Sequence, residues 1–360
     1  ERSAIADRMT DYTARSRNRV VLTSKNVKNA FSVEDPRAFA SISIDNSLTL
    51  ASFKKKMKIR VIEEKDSKVV FDVIGIDAPL ANTLRRIMIA EVPTMAIETV
   101  NLYQNTSVMQ DEVLAHRLGL IPIEADPRDF SYVSEAKNRE MNETNTLVFT
   151  LVAKCEKNPK ATEASAPKDL YIKSEVYSGD LKWIPQGSQE KRFGVGGIKP
   201  VFDDIIINHL RPGQSIEAEL LAEKGIGQDH AKWSPVCTAS YRLMPEILFK
   251  KKVEGKAAEE LVRKCPMDVF DIEDIGGTKT ARVAYPRNCT MCRECIRGEE
   301  WEDKILLQRI RNHFIFSVES TGAYKARDIF TEALKVLKNK ATKLKRELEE
   351  LYNPKKMDES

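Results

Sequence analysis

The chain has 360 residues, of which 42% are hydrophobic and 31% charged, and its formal net charge is only +4. A chain of this length buries a substantial core and ordinarily forms two domains. No apolar run approaches the roughly 20 residues of a membrane span. A protein whose main task is to grip nucleic-acid phosphates usually carries a stronger positive bias. We therefore expect no membrane span and only peripheral contact with DNA.

The first 100 residues begin with a poorly patterned segment and continue into strands. Residues 1–47 carry scattered arginines and little periodicity, as in an arm that orders against partners or in a disordered tail. Apolar residues then alternate over 57–61 and 69–73, on either side of the polar stretch 63–68. This pattern predicts a β-hairpin whose apolar face receives a helix.

The helix that follows is predicted over residues 79–91. Asp77 is a favourable N-cap, Pro79 fits the first turn and Pro93 marks the end. Its apolar stripe consists of Leu80, Leu84, Ile87 and Met88. Arg85 and Arg86 lie off that stripe, so this short helix presents one apolar face and two cations.

The next segments are predicted from the same kinds of pattern. Residues that favour strands run from Pro93 to about Tyr103, and residues 107–120 predict a second helix. The apolar positions expected in this helix are Val108, Val113, Leu114 and Leu118. Further strands are expected from Leu147, over 201–207 and over 215–221.

The C-terminal part returns to a strand and a helix. Phe314, Phe316 and Val318 alternate as in a strand, Gly322 ends it, and a helix is predicted over 325–352. The apolar residues of this helix recur at alternating spacings of four and three; this set, here called the seam, is Phe330, Leu334, Leu337, Ala341, Leu344, Leu348 and Leu351. Such a seam packs against another chain or, alternatively, along the chain's own sheet.

Together these elements predict an α+β fold with a discontinuous domain. Its two parts are residues 48–104 and 305–352, and an α+β insertion occupies 105–304. Residues 353–360 form a tail.

Three of the six cysteines form a C-x2-C-x2-C run, Cys289, Cys292 and Cys295. Ferredoxin-type sites add a fourth cysteine before proline, and here Cys265-Pro266 supplies it while Glu299 stands at the usual fourth position. This arithmetic predicts one [4Fe–4S] cluster in a ferredoxin-like part at about 255–300. Zinc and metal-free thiols are the alternatives.

Two ordered blocks carry a resemblance to a known family. The first runs Asn82-Thr83-Leu84-Arg85-Arg86-Ile87 and continues with Val92-Pro93 and Ile97-Glu98. The second comprises Asn105–Val108, Asp111-Glu112 and Ala115–Pro122. The first block resembles the assembly motif of the α-like subunits of cellular RNA polymerases, and the second is similar to the block that follows it in archaeal and eukaryotic members. The greatest similarity is to the α-like subunits shared by eukaryotic RNA polymerases I and III.

The resemblance implies a non-catalytic assembly subunit, located in the nucleus including the nucleolus. The discontinuous domain would be a dimerisation domain that pairs with a smaller α-like subunit. The second-largest and largest polymerase subunits would dock on the pair, and DNA would be contacted only through the complex that transcribes rRNA, tRNA and other small RNAs. The residues implied in assembly are Asn82, Leu84, Arg85, Arg86 and Ile87, with the seam residues Phe330, Leu334, Leu337, Ala341, Leu344 and Leu348. Some family members carry an iron–sulfur cluster in the insertion, whereas others have lost it.

Two other functions are alternatives to an assembly subunit. An iron–sulfur electron-transfer protein would need a cofactor fingerprint or substrate pocket, and the sequence offers neither. A nucleic-acid-binding module is disfavoured by the near-neutral charge. The glycine-containing stretch Gly225–His230 lacks the Gly-Lys-Ser/Thr ending of a phosphate loop and predicts a surface turn. No catalytic residue is predicted.

Overall fold

The computed structural model describes residues 16–30, 47, 49–161 and 170–352. The helices are α1 (Leu50–Lys56), α2 (Ala78–Ala90), α3 (Asp111–Gly119), α4 (Gln189–Phe193), α5 (Lys256–Lys264), α6 (Glu299–Glu302) and α7 (Ala326–Tyr352). The strands are β1 (Arg19–Leu22), β2 (Val27–Lys28), β3 (Lys58–Glu64), β4 (Lys68–Ile74), β5 (Thr94–Asn105), β6 (Ile123–Glu124), β7 (Thr146–Lys154), β8 (Glu156–Lys157), β9 (Tyr171–Ile172), β10 (Glu175–Tyr177), β11 (Lys182–Ile184), β12 (Lys199–Pro200), β13 (Ile206–His209), β14 (Ser215–Gly225), β15 (Val236–Phe249), β16 (Phe270–Ile275), β17 (Thr278–Val283) and β18 (Ile305–Ser320).

Two larger sheets organise these strands. One has six strands in the order β2-β1-β18-β4-β3, with β15 also pairing with β18. The other has four strands in the order β11-β7-β14-β5. The remaining strands form the two-stranded pairs β10-β13, β12-β6, β16-β17 and β8-β9. The mixture of helices and largely antiparallel sheet confirms the α+β class.

The chain forms two compact units. The first comprises the described residues of Glu1–Ile62 together with Val70–Asn82 and Ser240–Phe316, and the second comprises Glu63–Val69, Thr83–Ala239 and the described residues of Ser317–Ser360. These boundaries fall inside strands and one helix, unlike those inferred from the sequence. The division into a dimerisation domain and an insertion therefore stays a prediction.

The core of the second unit lies on the four-stranded sheet. Leu147 and Leu151 of β7 are fully buried there, as are Leu114 and Leu118 of α3. Alternation along β7 and β14 places one side of each strand in this core, because successive side chains of a strand point to opposite faces.

An aromatic cluster fills part of the first unit. The rings of Phe71 and Phe316 stack with centroids 5.3 Å apart, and Tyr241 meets Phe314 edge-on at 5.4 Å. Stacked and edge-to-face rings are the two arrangements that aromatic pairs favour. The alternation predicted at β4 and β18 is thus confirmed, with Phe71, Phe314 and Phe316 buried.

Other predictions need correction. The hairpin was predicted to bury one apolar face under a helix. Residues of β4 are buried, but β3 is exposed along its whole length. Helix α3 is shorter than predicted, and Val108 and Val113 are exposed. The strand expected over 201–207 is confined to Ile206–His209.

Part of the predicted N-terminal arm belongs to a sheet of the chain itself. Residues 19–22 form β1, which pairs with β18 in antiparallel register. Arg19 also ties β1 to β15, because it donates two hydrogen bonds to the carboxylate of Glu246 on that strand, at 2.6 and 3.0 Å. Residues 1–15 and 31–46 of the arm and the tail at 353–360 lie outside the described residues.

None of the described helices is both long and apolar enough to cross a lipid bilayer.

A buried carboxylate ties β4 to the segment that carries the cysteine run. Asp72 accepts hydrogen bonds from both terminal nitrogens of Arg287, at 3.0 and 2.6 Å, and His313 Nε2 lies 3.1 Å from Asp72 Oδ2. Burial raises the pKa of Asp72, but Arg287 and His313 outweigh it and hold this pKa below the ordinary 3.8. Arg242 adds a hydrogen bond to the Arg287 carbonyl at 2.7 Å.

Replacing Asp72 with asparagine should destabilise the protein, because it leaves the Arg287 cation without its carboxylate in a largely buried setting. We expect the free energy of unfolding to fall by about 3 kcal/mol. The stabilisation from a lowered carboxyl pKa is fully present above about pH 4 and is lost as the pH falls through the folded-state pKa. Urea unfolding of the wild type should therefore show a loss below pH 4 that Asp72→Asn lacks.

The matched control is Asp271→Asn. Its ion pair with Arg282, at 3.1 Å, is more than half exposed on both sides and should contribute little. Equal stabilities for the Asp72 variant and the wild type would contradict this account.

Candidate subunit interface and cysteine cluster

Helix α2 buries the stripe that the sequence predicted. Leu84, Ile87 and Met88 are buried, as is Ala81, while Leu80 is half-buried. The first helical hydrogen bond runs from the Ala81 N–H to the Asp77 carbonyl, 3.1 Å away. The helix is therefore fixed along its apolar face, and its polar positions are oriented by that burial.

The end of α2 is covered by the loop after β14. The Gln228 N–H donates to the Ala90 carbonyl at 2.8 Å, which satisfies one of the carbonyls that a helix leaves unpaired at its C-terminus. Gly227 permits this approach, because a Cβ there would collide with the Ile89 carbonyl. The stretch predicted to be a surface turn thus has a packing role at the end of α2.

The two arginines of α2 lie in different environments. Arg86 is exposed and forms no ion pair within the described residues. Arg85 is half-buried and makes contacts of its own. A guanidinium presents a planar fork of donors that matches a carboxylate bidentately. Arg86 is therefore the one of the pair that is available to another molecule.

Among the described residues, the fully buried positions of helix α7 all lie at its beginning. Ala326, Ile329, Phe330 and Ala333 are buried, so Phe330 is the one seam residue in the core. Just before the helix, the hydroxyl of buried Tyr324 donates to the Pro93 carbonyl at 3.0 Å. These contacts hold the first two turns.

The rest of α7 lies in solvent. Every residue from 338 to 352 is exposed, including the seam residues Ala341, Leu344, Leu348 and Leu351, of which Leu344 is 58% and Leu351 77% exposed. Leu334 is also exposed and Leu337 is half-buried. The 27-residue helix is about 40 Å long, at 1.5 Å per residue. The described part of the chain therefore does not cover the seam beyond Leu337, which disagrees with packing of the whole seam along the chain's own sheet.

Ion pairs tie α7 to other segments of the second unit. Lys340 lies 2.9 Å from Glu91, immediately after α2, and Arg327 lies 3.2 Å from Glu64 at the tip of the β3–β4 hairpin. Single exposed pairs stabilise little. Here they reinforce the apolar anchor, so the exposed seam is presented in one direction relative to α2.

The four predicted cysteine ligands lie around one small cavity in the first unit. Cys265 ends α5, and the other three follow hairpin β16–β17; all four line the cavity together with apolar side chains such as Ile247, Phe270 and Leu307. Cys289 and Cys295 are buried, Cys265 is half-buried and Cys292 is exposed, and all four are free thiols.

The backbone around the cysteines has features of a ligand loop. The Val269 N–H donates to Cys265 Sγ and the Met291 N–H to Cys289 Sγ, each at 3.5 Å. Asp268, Met291 and Arg293 have positive φ angles of 50°, 64° and 67°, which non-glycine residues rarely adopt. Burial raises the pKa of Cys289 and raises that of Cys295 to about 12, so these thiols are neutral without a metal.

The side chains do not close around an ion. Among the described residues, no three His, Cys, Asp or Glu side chains converge closely enough to hold a metal. The donor chemistry nevertheless fits a thiolate-bound centre, since four cysteines line one cavity and the sulfurs of two of them accept amide hydrogen bonds. Such bonds tune iron–sulfur centres.

Sequence reasoning missed two parts of this region. The Lys340–Glu91 pair links residues 249 apart in the chain, and no local pattern announces it. The packing of Gly227 on α2 was missed because a glycine in a polar stretch also suits an ordinary turn.

Comparisons with known proteins agree with the sequence motifs. Residues 70–341 match the profile of the RNA polymerase Rpb3/Rpb11 dimerisation domain. The chain is 47% identical over 339 residues to the DNA-directed RNA polymerases I and III subunit rpac1 of Dictyostelium discoideum, covering 94% of this chain and 95% of that protein. It is 46% identical over 334 residues to the subunit RPAC1 of polymerases I and III of Homo sapiens, with 92% and 96% coverage.

The polymerase II counterpart is less similar. The chain is 33% identical over 312 residues to the DNA-directed RNA polymerase II subunit rpb3 of Dictyostelium discoideum, covering 84% of this chain and 99% of that protein. Within one organism, the similarity therefore favours the subunit of polymerases I and III.

Proposed function

Because this chain belongs to the family of RNA polymerase subunits that carry the Rpb3/Rpb11 dimerisation domain, we propose that it is the α-like assembly subunit shared by DNA-directed RNA polymerases I and III. The names of its relatives support this assignment. It is a non-catalytic component, and its work is to hold other subunits together. The comparisons offer no support for an iron–sulfur electron-transfer protein. A polymerase of this kind acts in the nucleus, and we propose that the nucleolus is included.

The observation that carries the proposal is the exposed seam of α7. An isolated helical segment of about 15 residues is only marginally stable in water. Burying a leucine side chain contributes roughly 1.5–3 kcal/mol. A partner helix that covers Leu344, Leu348 and Leu351 would supply both the missing burial and the missing order. We propose that this partner is the smaller α-like subunit, which forms a heterodimer with this chain.

Docking of the largest subunits is proposed for the polar side of α2. The first predicted block places Asn82, Leu84, Arg85, Arg86 and Ile87 on this helix. Leu84 and Ile87 hold the helix in the core, whereas Arg86 points a free cation outward. We propose that Arg86 pairs with a carboxylate or carbonyl of the second-largest subunit, and that the largest subunit follows.

Leu344→Glu should prevent pairing without unfolding the chain. The Leu344 side chain is already in solvent, so the isolated protein should tolerate a carboxylate there. A partner helix packed on the seam would bury that carboxylate, which is unfavourable. Co-expression with the smaller α-like subunit, followed by affinity purification and light scattering, should give a complex for the wild type and separate chains for Leu344→Glu. Asn339→Glu introduces the same group on the far side of the helix and should leave the complex intact. A full complex with Leu344→Glu would contradict the seam as the interface.

Arg86→Ala should weaken recruitment of the second-largest subunit to the preformed heterodimer. Arg86→Lys should restore it poorly, because an ammonium lacks the bidentate fork. Both variants should keep the wild-type melting temperature, since Arg86 is exposed. Arg85→Ala is the comparison, and because Arg85 has contacts within the chain, it should also lower the melting temperature. Wild-type recruitment by Arg86→Ala would remove this arginine from the interface.

For the cysteines, we propose one thiolate-bound centre held by Cys265, Cys289, Cys292 and Cys295. The donor count and spacing favour a [4Fe–4S] cluster over zinc. When bound, the cluster would supply cross-links between the end of α5 and the loop after β17. Its role here is structural, because a bound metal centre adds its binding free energy to folding.

Anaerobically purified protein should therefore contain iron and sulfide and absorb visible light. Cys292→Ser should lower the iron content and the melting temperature, because it removes one ligand. Cys237→Ser is the matched control, since Cys237 is an exposed thiol outside the cavity. If the purified protein contains zinc and no iron, the bound metal is zinc and the [4Fe–4S] assignment is wrong. If it contains neither metal, the four thiols are unligated and the proposal is contradicted.

A further inference from the structure

Strand β3 is an open edge with apolar side chains in solvent. It is the terminal strand of the six-stranded sheet, so among the described residues nothing pairs with its outer edge. Ile59, Val61 and Ile62 are 46%, 55% and 51% exposed. An open edge offers a row of unpaired N–H and C=O groups to another strand, and natural proteins usually protect such edges.

Beside this edge lie five cations that have no partner among the described residues. They are Lys54, Lys55 and Lys56 at the end of α1 and Lys58 and Arg60 on β3, and all five are exposed. Within the described part of the chain, none of them forms an ion pair or a side-chain hydrogen bond. Over seven consecutive residues, the surface thus carries five positive charges and no negative charge.

The fold holds these cations next to the strand. Helix α1 begins with a capping box between Thr49 and Ser52, and its last turn closes with the Met57 N–H on the Phe53 carbonyl. Gly75, with φ of 85°, lies directly against the Lys56 carbonyl, and a Cβ there would collide with it. Any other residue would push the end of α1 away from the end of β4. The position of the cations is therefore built into the backbone.

Two simpler explanations account for only part of this arrangement. Lysines in a last helical turn complement the helix dipole, and lysines on an edge strand deter aggregation. Neither explains why the exposed apolar residues Ile59 and Val61 alternate with Lys58 and Arg60 on the edge strand itself. Nucleic acid is also disfavoured, because the 54–62 surface offers no exposed aromatic ring on which bases could stack.

We infer that β3 is a docking edge for an extended acidic segment of a partner protein, which adds to the sheet as a further strand. Its backbone would pair with the open edge of β3, and its apolar side chains would cover Ile59 and Val61 on one face of the sheet. Its carboxylates would meet the five cations, of which Lys58 and Arg60 lie on the opposite face of β3. The chemistry of the segment follows from these residues alone. That it belongs to another polymerase subunit rests on the proposed function.

The test uses the full chain and a short synthetic peptide of alternating glutamate and valine. We expect this peptide to bind about tenfold more tightly than one of alternating lysine and valine, with a preference that weakens in high salt. Hydrogen exchange of the amides in Lys58–Glu64 should slow in its presence. A glutamate–valine peptide N-methylated at alternate residues should bind weakly, because it cannot complete the ladder.

The matched variants separate this surface from a general positive charge. Lys58→Glu/Arg60→Glu should abolish the preference for the acidic peptide, whereas Lys251→Glu/Lys252→Glu, the same charge change on exposed lysines of the same unit, should leave it intact. Equal binding of the acidic and basic peptides, equal loss in both double variants, or tight binding of the N-methylated peptide would overturn the inference. So would an oligothymidylate that displaces the acidic peptide at equal concentration.

A second measurement addresses the partner. In purified polymerase, a carbodiimide, which joins amines to carboxylates without a spacer, should link Lys56 or Lys58 to an acidic residue of another subunit. A polymerase that assembles without such links would show that the segment is not supplied by the polymerase. Failure of the chain to enter any polymerase would contradict the proposed function, and the peptide measurements would still decide whether β3 is a docking edge.

Discussion

The exposed leucines of α7 require a surface that the described part of this chain does not provide. Ile329, Phe330 and Ala333 bury the first two turns, and the same helix then continues into solvent with its apolar spacing unbroken. Solubility does not explain leucine at Leu344, Leu348 and Leu351, because exposed apolar patches favour association. The exposed leucines of α7 therefore favour association with another surface.

Within the second unit, α7 is linked to the C-terminal end of α2. Tyr324 reaches the Pro93 carbonyl beyond the end of α2, and Lys340 reaches Glu91, so α7 is tied to the segment that follows the arginine-bearing helix. The loop at Gly227 covers the end of the same helix. A heterodimer formed through α7 would thus fix the direction of Arg86. This gives a physical reason why the heterodimer would form first and the second-largest subunit would dock on it afterwards.

Much of this could be predicted from the sequence, and the reasons for the failures are physical. The α2 stripe and the seam could be identified because helical periodicity extends over several turns. The family was indicated by two ordered motif blocks that follow one another in the sequence. Periodicity reports which residues are apolar but not what covers them, so Val113 and the alternating residues of β3 were misassigned to buried faces. Pairings between distant segments, such as β1 with β18 or Lys340 with Glu91, leave no local signal. The four cysteines line one cavity, as their spacing indicated, but spacing alone does not distinguish a cluster, zinc and free thiols.

Hydrogen exchange over residues 338–352, compared between the isolated chain and the chain purified with the smaller α-like subunit, tests the central claim most directly. The account predicts rapid exchange in the isolated chain, as expected for a helix without burial, and strong protection in the pair. Equally strong protection in the isolated, monomeric chain would show that this helix already has its covering surface, and would contradict the account.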